Sequence, residues 1–487
     1  MANEINIREL VLETLTDIDR GRKNASEAMN GTLRNYQYLS KQERSFYTYL
    51  CEGTLEYRLQ LDYLINQVSK TPVHKCKPYI RNLLRMSLYQ IRYMDGVPEE
   101  AACNEAVKLA KKKGFQSLSG FVNGVLRNLI RRQESLIFPQ KEENRTAYFS
   151  LRYSMPEWLV EQMLCWYPEE VAEGMLAAFL QKAPLTVRVN LLQSSKDRVK
   201  AALEEENIET EDGCYTENTL RLSGINYMNR IKAFRQGCIT VQDESSVLQG
   251  YLLQPSPGDL ILDVCAAPGG KSLYAAEQLL VTEHMEESKN KGDGAAEKET
   301  GSGAPVMVSG RVIARDISEK KIERIQENAE RMKISNLQTE VWDALQPDQE
   351  LYGQADVVIA DLPCSGLGVM GRKPDIKYRM TIEQLKELAE LQKNILSTVI
   401  PYVKPGGRLI YSTCTVNPEE NEHQVDWMWK EFRLEPVNIR KFLPQSLSEE
   451  LEGQPGTDLA KGYATLLPGQ QNCDGFFFAV LRKKTGV

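Results

Sequence analysis

Histidine is scarce in this chain and closely spaced cysteines are absent. Only His74, His284 and His423 occur, and no two of the ten cysteines lie within four residues of each other. Such spacing excludes a CxxC zinc knuckle and a dense disulfide framework, so no metal site is expected. Most of these cysteines read as small buried residues in a reducing compartment. No apolar run approaches the roughly 20 residues needed to cross a bilayer, which argues against a membrane protein. The opening segment, MANEINIRELVLETLTDIDR, has no basic start followed by an apolar core. It reads as an amphipathic helix with Ile7, Leu10, Val11, Leu15 and Ile18 on one face, and a cytoplasmic location is expected. Internal repeats are missing too. What is present, 42% hydrophobic and 26% charged residues in a chain of 487, fits a globular protein too long for one core. Two or three domains are expected.

The net charge of −7 hides an asymmetry. Residues 1–135 hold 21 Lys/Arg against 15 Asp/Glu, a net +6, and the remainder holds 39 against 52, a net −13. The N-terminal part is therefore the better polyanion binder. Between residues 63 and 94 six basic residues occur without an acidic one, and Arg81, Arg85 and Arg92 fall on one helical stripe. The stripe reads either as a solvated flank or as a phosphate contact. Apolar spacing makes residues 1–135 all helical. A polar stretch follows, then a small α/β unit at 151–235. From 236 to 487 strands and helices alternate, which predicts an α/β fold with a doubly wound, Rossmann-like parallel sheet. Residues 283–306 are rich in Gly, Glu, Lys and Ser, cannot offset the entropy of ordering, and read as a disordered insertion.

The strand LILDV runs into Cys265-Ala266-Ala267-Pro268-Gly269-Gly270-Lys271 and then a helix. This arrangement lets backbone amides approach a ligand at a helix N-terminus. It has neither the GxGxxG spacing of dinucleotide enzymes nor a phosphate-binding P-loop. An acidic residue about 20 positions further on, at the end of the second strand, would hold ribose hydroxyls. Asp316 lies 45 residues after Lys271, and removing the insertion restores the separation. Asp343 and Asp361 are expected to end the third and fourth strands. One such aspartate is an ordinary turn former; three in register mark the ligand edge of the sheet.

Two cysteines stand at consecutive strand ends, in Asp361-Leu362-Pro363-Cys364-Ser365-Gly366 and in Tyr411-Ser412-Thr413-Cys414-Thr415. Asn417-Pro418-Glu419-Glu420 follows the second and reads as a capped helix start. Either cysteine alone would be read as a buried spectator; the pair is not.

These motifs, in this order, closely resemble the RNA cytosine-5 methyltransferases of the Nop2/Sun group, and FVNGVLRNLIRR (121–132) resembles a NusB-type RNA-binding module. The resemblance spans nearly the whole chain apart from the insertion. It implies S-adenosylmethionine as cofactor, held by residues 265–271 with Asp316 at the ribose and Asp343 by the adenine. Asp361 then reaches the target base. Carbon 5 of cytosine is a poor nucleophile until a thiolate adds at carbon 6. DNA cytosine methyltransferases use the Pro-Cys thiol for this step, whereas the resembled RNA group uses Thr-Cys and keeps Pro-Cys for product release. The resemblance therefore makes Cys414 the nucleophile and Cys364 the release residue. Leu362 departs from the small residue or proline common there. Gly371-Arg372-Lys373-Pro374-Asp375 also matches, and its basic pair is a candidate phosphate contact. The implied partner is RNA, 16S rRNA or a small-subunit particle, acted on by a monomer. Two other readings compete. An amino-methyltransferase would show Asn/Asp-Pro-Pro-aromatic where DLPC stands, and a non-catalytic RNA-binding factor would not need both cysteines and the loop.

Overall fold

The computed structural model describes residues 6–21, 23–290 and 310–486, with the backbone alone over 284–290. Most of the expected insertion lies outside these residues. Its first part continues the helix Gly270–Asn290. Glu283 is buried there and accepts a hydrogen bond from Gly310 N at 2.8 Å, so at least the start of the polar stretch is held in place.

The chain divides into two compact units, Met1–Gln181 with Met370–Arg379, and Lys182–Val369 with Met380–Val487. In the first unit, helices α1 (Ile7–Asp19), α2 (Ala25–Asn35), α3 (Lys41–Glu56), α4 (Arg58–Val68), α5 (Pro78–Tyr93), α6 (Glu99–Lys112) and α7 (Ser119–Arg131) surround one core. Local chemistry sets their ends. Ser40 and Glu43 form a capping box at α3, and Pro78 occupies the first turn of α5, where its missing N–H is not needed. The apolar face of α5, Ile80, Leu83, Leu84 and Leu88, is buried in that core as its spacing predicts. Helices α8 (Arg145–Arg152), α9 (Glu157–Trp166) and α10 (Glu169–Ala178) pack with this unit. The two helices before the first strand thus cluster with the helical unit and not with the strands that follow them.

The basic stripe is not a phosphate surface as a whole. Arg85 is buried and donates from both Nε and Nη2 to Asp62 at 2.6 Å, and Arg81 Nε donates to Asp19, whose side chain is 6% exposed, at 3.0 Å. Two of its three cations are neutralised inside the unit by acids from α1 and α4, neighbours that sequence spacing does not reveal. Arg92 alone has no carboxylate partner among the described residues.

The second unit carries two sheets. Strands β1 (Leu185–Val189), β2 (Glu209–Asp212), β3 (Thr219–Ser223) and β4 (Ile239–Val241) form an antiparallel sheet in the order β2-β3-β1-β4. The larger sheet contains β5 (Leu260–Asp263), β6 (Arg311–Asp316), β7 (Leu337–Val341), β8 (Ala355–Asp361), β9 (Val403–Thr413), β10 (Leu434–Pro436), β11 (Tyr463–Leu466) and β12 (Phe476–Lys483). Its path is β10-β12-β9-β8-β5-β6-β7, with β11 beside β12. Strands β5 to β9 run parallel, and β12 joins β9 antiparallel. The doubly wound α/β fold is therefore correct. Both faces of β5 and β8 are buried, which explains their near-continuous apolar sequences. The order of winding reverses between β5 and β8, so the loops after these two strands diverge and open a crevice at their carboxyl ends. Among the described residues no helix is long and apolar enough to cross a membrane.

Candidate active site

Residues 265–271 form the loop after β5. Gly269 sits at φ +102°, in the region that favours glycine, and lets the chain turn into the helix at Gly270. The loop is stitched to β6: Ala266 N donates to Arg315 O at 2.9 Å, and Ala267 N to Asp316 Oδ2 at 2.9 Å. The other oxygen of Asp316 accepts from Lys321 Nζ at 2.8 Å. Asp343 lies in the loop after β7, which closes at Val341, and accepts from Leu345 N at 3.0 Å. A glycine turn, a helix N-terminus and carboxylates on the next two connections make a donor set suited to a nucleoside, whose hydroxyls and amine donate to carboxylates.

Asp263, which the sequence reading passed over as part of LILDV, lies beneath this loop. It is fully buried, accepts from Ser272 Oγ at 2.5 Å and Cys265 N at 3.4 Å, and burial pushes its carboxyl up to about 7. Only its position as the last residue of β5 could have signalled it. Burial likewise pushes the Cys265 thiol up, so it remains protonated.

Strands β8 and β9 bring the two cysteine motifs together. Cys364 Sγ lies 3.3 Å from Cys414 Sγ, and neither is in a disulfide. Beside them, Lys271 Nζ donates to Asp361 Oδ2 at 2.6 Å, and Ser412 Oγ donates to Asp361 Oδ1 at 2.8 Å. Burial opposes the charge on Lys271, but Asp361 outweighs it and holds the ammonium above its usual range, with Cys414 also favouring the cation. Lys271 thus faces the carboxylate and the thiol. The hydrogen bond with Cys414 and burial together hold the Cys364 thiol well above the usual range. Leu362 is buried and its N–H donates to Ser412 O across the β8–β9 pair, so the departure at this position is absorbed by the sheet.

The turn after Cys414 differs from the expected capping box. Asn417 does cap a short 3-10 turn, Pro418–Glu420, but the following helix, Glu422–Glu431, has no side-chain cap. Glu420 is instead buried and pulled toward the other cysteine loop. Its carboxylate accepts from Ser365 N at 2.9 Å, Ser365 Oγ at 2.5 Å, Asn417 Nδ2 at 2.9 Å and Gln392 Nε2 at 3.0 Å. Ser365 and Thr415, the residues after each cysteine, share a further hydrogen bond of 2.7 Å. Glu420 therefore ties together the backbones that carry the two thiols. A third segment closes in at Gly368, whose N–H donates to Cys414 O at 3.1 Å and whose carbonyl accepts from Gly475 N at 2.9 Å.

Comparison with known proteins agrees with this architecture. The family description "16S rRNA methyltransferase RsmB/F" matches residues 303–482, "NusB family" residues 5–131, and an RsmF/B-like "ferredoxin-like domain" residues 155–227. A probable ribosomal RNA small subunit methyltransferase B from Bacillus subtilis is 32% identical over 98% of this chain and 99% of its own length. Its namesake from Synechocystis is 33% identical over 98% and 100%. A methyltransferase homolog from Pyrococcus horikoshii has a similar fold, with a TM-score of 0.54 over 70% of this chain and 99% of its own at 23% identity. With relatives above 30% identity along nearly their entire length, this chain belongs to the RsmB/F family of 16S rRNA methyltransferases.

Proposed function

We propose that the protein methylates carbon 5 of a cytosine in 16S rRNA, acting as a cytoplasmic monomer through a transient bond between Cys414 and carbon 6. The observation that carries this reading is the pair of sulfurs 3.3 Å apart at the ends of β8 and β9, beside the Lys271–Asp361 ion pair. Residues 265–271 with Asp316, Asp343 and Asp361 would hold S-adenosylmethionine, which when bound would supply an electrophilic methyl group to carbon 5 and leave as S-adenosylhomocysteine. The chain's own residues do the rest. The neighbouring Cys414 sulfur and burial hold the Cys364 thiol up, and Cys414 is assigned as the thiol that ionises to become the nucleophile. Its thiolate adds at carbon 6, and the electron pair displaced from the ring's double bond accumulates at carbon 5. Asp361, fixed by Lys271 and Ser412, is placed to orient the base and balance charge at its ring nitrogen. Once the Cys414 sulfur is bonded to carbon it no longer acts as a hydrogen-bonding anion toward Cys364. That interaction is the largest cause holding the Cys364 thiol up, so bond formation eases its ionisation. Cys364 gives its own proton to solvent, its thiolate takes the proton from carbon 5, the electron pair re-forms the ring double bond, and the Cys414 thiolate leaves.

The test separates the thiols. Cys414→Ala is inactive and never yields a protein–RNA adduct. Cys364→Ala attacks and methylates but does not release, so a covalent complex accumulates on a denaturing gel when S-adenosylmethionine is present. The double variant forms none. A trap in the Cys414 variant alone reverses the roles, and activity in both variants without a trap rejects the covalent route.

A further inference from the structure

A second concave site lies wholly within the helical unit, between α4, α5, the end of α7 and α8. Its volume is 1310 Å³, above the roughly 300–1,000 Å³ typical of small-molecule pockets, so it suits an extended ligand. Aromatic rings line it. Tyr57 and Tyr93 stack with centroids 4.3 Å apart, and Phe138, Tyr148 and Tyr153 join them. Three arginines also line it, with Glu134 as the only acidic residue among those described. The Arg92 guanidinium lies 6.0 Å from the rings of both Tyr93 and Phe138, and that of Arg152 lies 5.7 Å from Tyr148. Arg131 donates to Asn128 Oδ1 at 2.9 Å. None of the three makes a salt bridge among the described residues, although Glu173 acts on Arg152 at longer range, in contrast to the paired Arg81 and Arg85 on the neighbouring stretch of α5.

Unpaired cations beside aromatic faces are the two components that bind an unstacked nucleic-acid strand: the charges track phosphates and the rings stack bases. A paired A-form helix hides its base faces and would use only the arginines. An acidic polypeptide would use the arginines and leave the rings unsatisfied. We infer that this cleft binds a single-stranded segment of RNA, with bases against Tyr148 and its neighbours and phosphates against Arg92, Arg131 and Arg152. The inference rests on the proposal that the substrate is RNA, and adds a holding site for an unpaired strand in the helical unit.

The test uses the full-length protein and a labelled short oligouridylate, followed by fluorescence anisotropy over a range of salt. Arg131→Gln/Arg152→Gln alters two exposed positions, so the fold is retained, and lowers affinity about tenfold or more. It also reduces the slope of log K against log salt by about 1.4, at about 0.7 per lost single-strand contact. Tyr148→Ala weakens binding about tenfold and leaves the salt slope unchanged, because stacking carries no counterion release. An RNA duplex binds more weakly and is indifferent to Tyr148→Ala. Unchanged affinity and slope in these variants would overturn the inference. So would a duplex bound as tightly with the same sensitivities, or displacement of the oligouridylate by polyglutamate at equal charge. The covalent trap with Cys364→Ala distinguishes the two proposals. If it forms while oligouridylate binding ignores the cleft variants, the cleft assignment fails alone; if it never forms but the cleft variants weaken binding, the catalytic reading fails alone.

Discussion

At the scale of single residues, the carboxyl groups under the active edge do unlike work. Asp361 is ion-paired and half-buried, Asp263 is sealed beneath the loop, and Glu420 joins the two cysteine turns. Burial raises Asp263 to about 7, so the fold favours its protonated form. An unfolded carboxyl ionises near 4, and the folded one holds its proton up to about 7. The contribution of Asp263 to stability is therefore complete below about 4 and declines as pH rises to about 7, by up to about 1.4 kcal/mol per pH unit. Asp263→Asn, which cannot ionise, flattens that part of the profile, and urea unfolding of both proteins at pH 5 and pH 7.5 measures the difference. An identical pH dependence in the two would show that Asp263 is already ionised in the folded state. Glu420→Ala leaves Ser365 N and Asn417 Nδ2 without their acceptor in a buried place and removes one of the two acceptors of Gln392 Nε2. The expected loss is about 3 kcal/mol of stability, accompanied by loss of methyl transfer, because the spacing of the two thiols is no longer held. Alkylation rates of Cys364 and Cys414 report that spacing independently of activity.

At the scale of elements, two contacts decide how the second unit is put together. Arg188 of β1 is completely buried, ion-paired with Glu277 of the helix Gly270–Asn290, bonded through Nε to Gln242 at 2.9 Å, and stacked 4.0 Å over the Tyr274 ring. This is the join between the small sheet and the helix that follows the glycine loop. Breaking a buried pair from one side strands a charge, so Arg188→Ala is expected to cost about 3–5 kcal/mol, while Arg188→Met/Glu277→Leu recovers most of it. A double-mutant cycle in denaturant gives the coupling, and near-additive losses would mean that the pair does not act as a unit. Gly368 makes the second contact. A Cβ there would lie 2.2 Å from Gly475 O and 2.9 Å from Cys414 O, both backbone atoms. Gly368→Ala must push the Pro-Cys loop away from Cys414. Methyl transfer should fall by about 100-fold or more, as a displacement near 1 Å commonly does, while cofactor affinity, measured by calorimetry, stays within about twofold.

At the scale of the molecule, the helical unit contains a piece of chain from far along the sequence. Residues Met370–Arg379 follow directly on the Pro-Cys loop yet belong to this unit. Lys377 is buried and donates to Glu56 O at 2.9 Å, and Asp375 accepts from Ala25 N at 3.3 Å. Burial pushes Lys377 down and Glu56 up, so neither is comfortable as an ion. Without residues 1–181 these polar groups and the adjoining Ile376 lose their surroundings. A fragment of residues 182–487 is therefore expected to be cut rapidly by protease at 370–379, and addition of a 1–181 fragment to restore protection. Equal resistance in the isolated fragment would show that the segment is stable without its helical partners.

The chain by itself determined the elements and where the motif residues fall on them. Alternating strands and helices specified the sheet, the helical period marked the core face of α5, and CAAPGGK, Asp316, Asp361 and the Pro-Cys and Thr-Cys motifs fall where expected, because each is local and repeats a known spacing. Only the tertiary structure decided what those residues touch. The basic stripe appeared uniform in sequence, yet Asp19 and Asp62 on other helices neutralise Arg81 and Arg85 and leave Arg92 with the rings of the cleft. Glu420 had the spacing of a helix cap, yet a serine 55 residues earlier claimed its carboxylate. Pairings across such distances depend on strand order and helix packing, which burial of the whole core selects and no local pattern encodes.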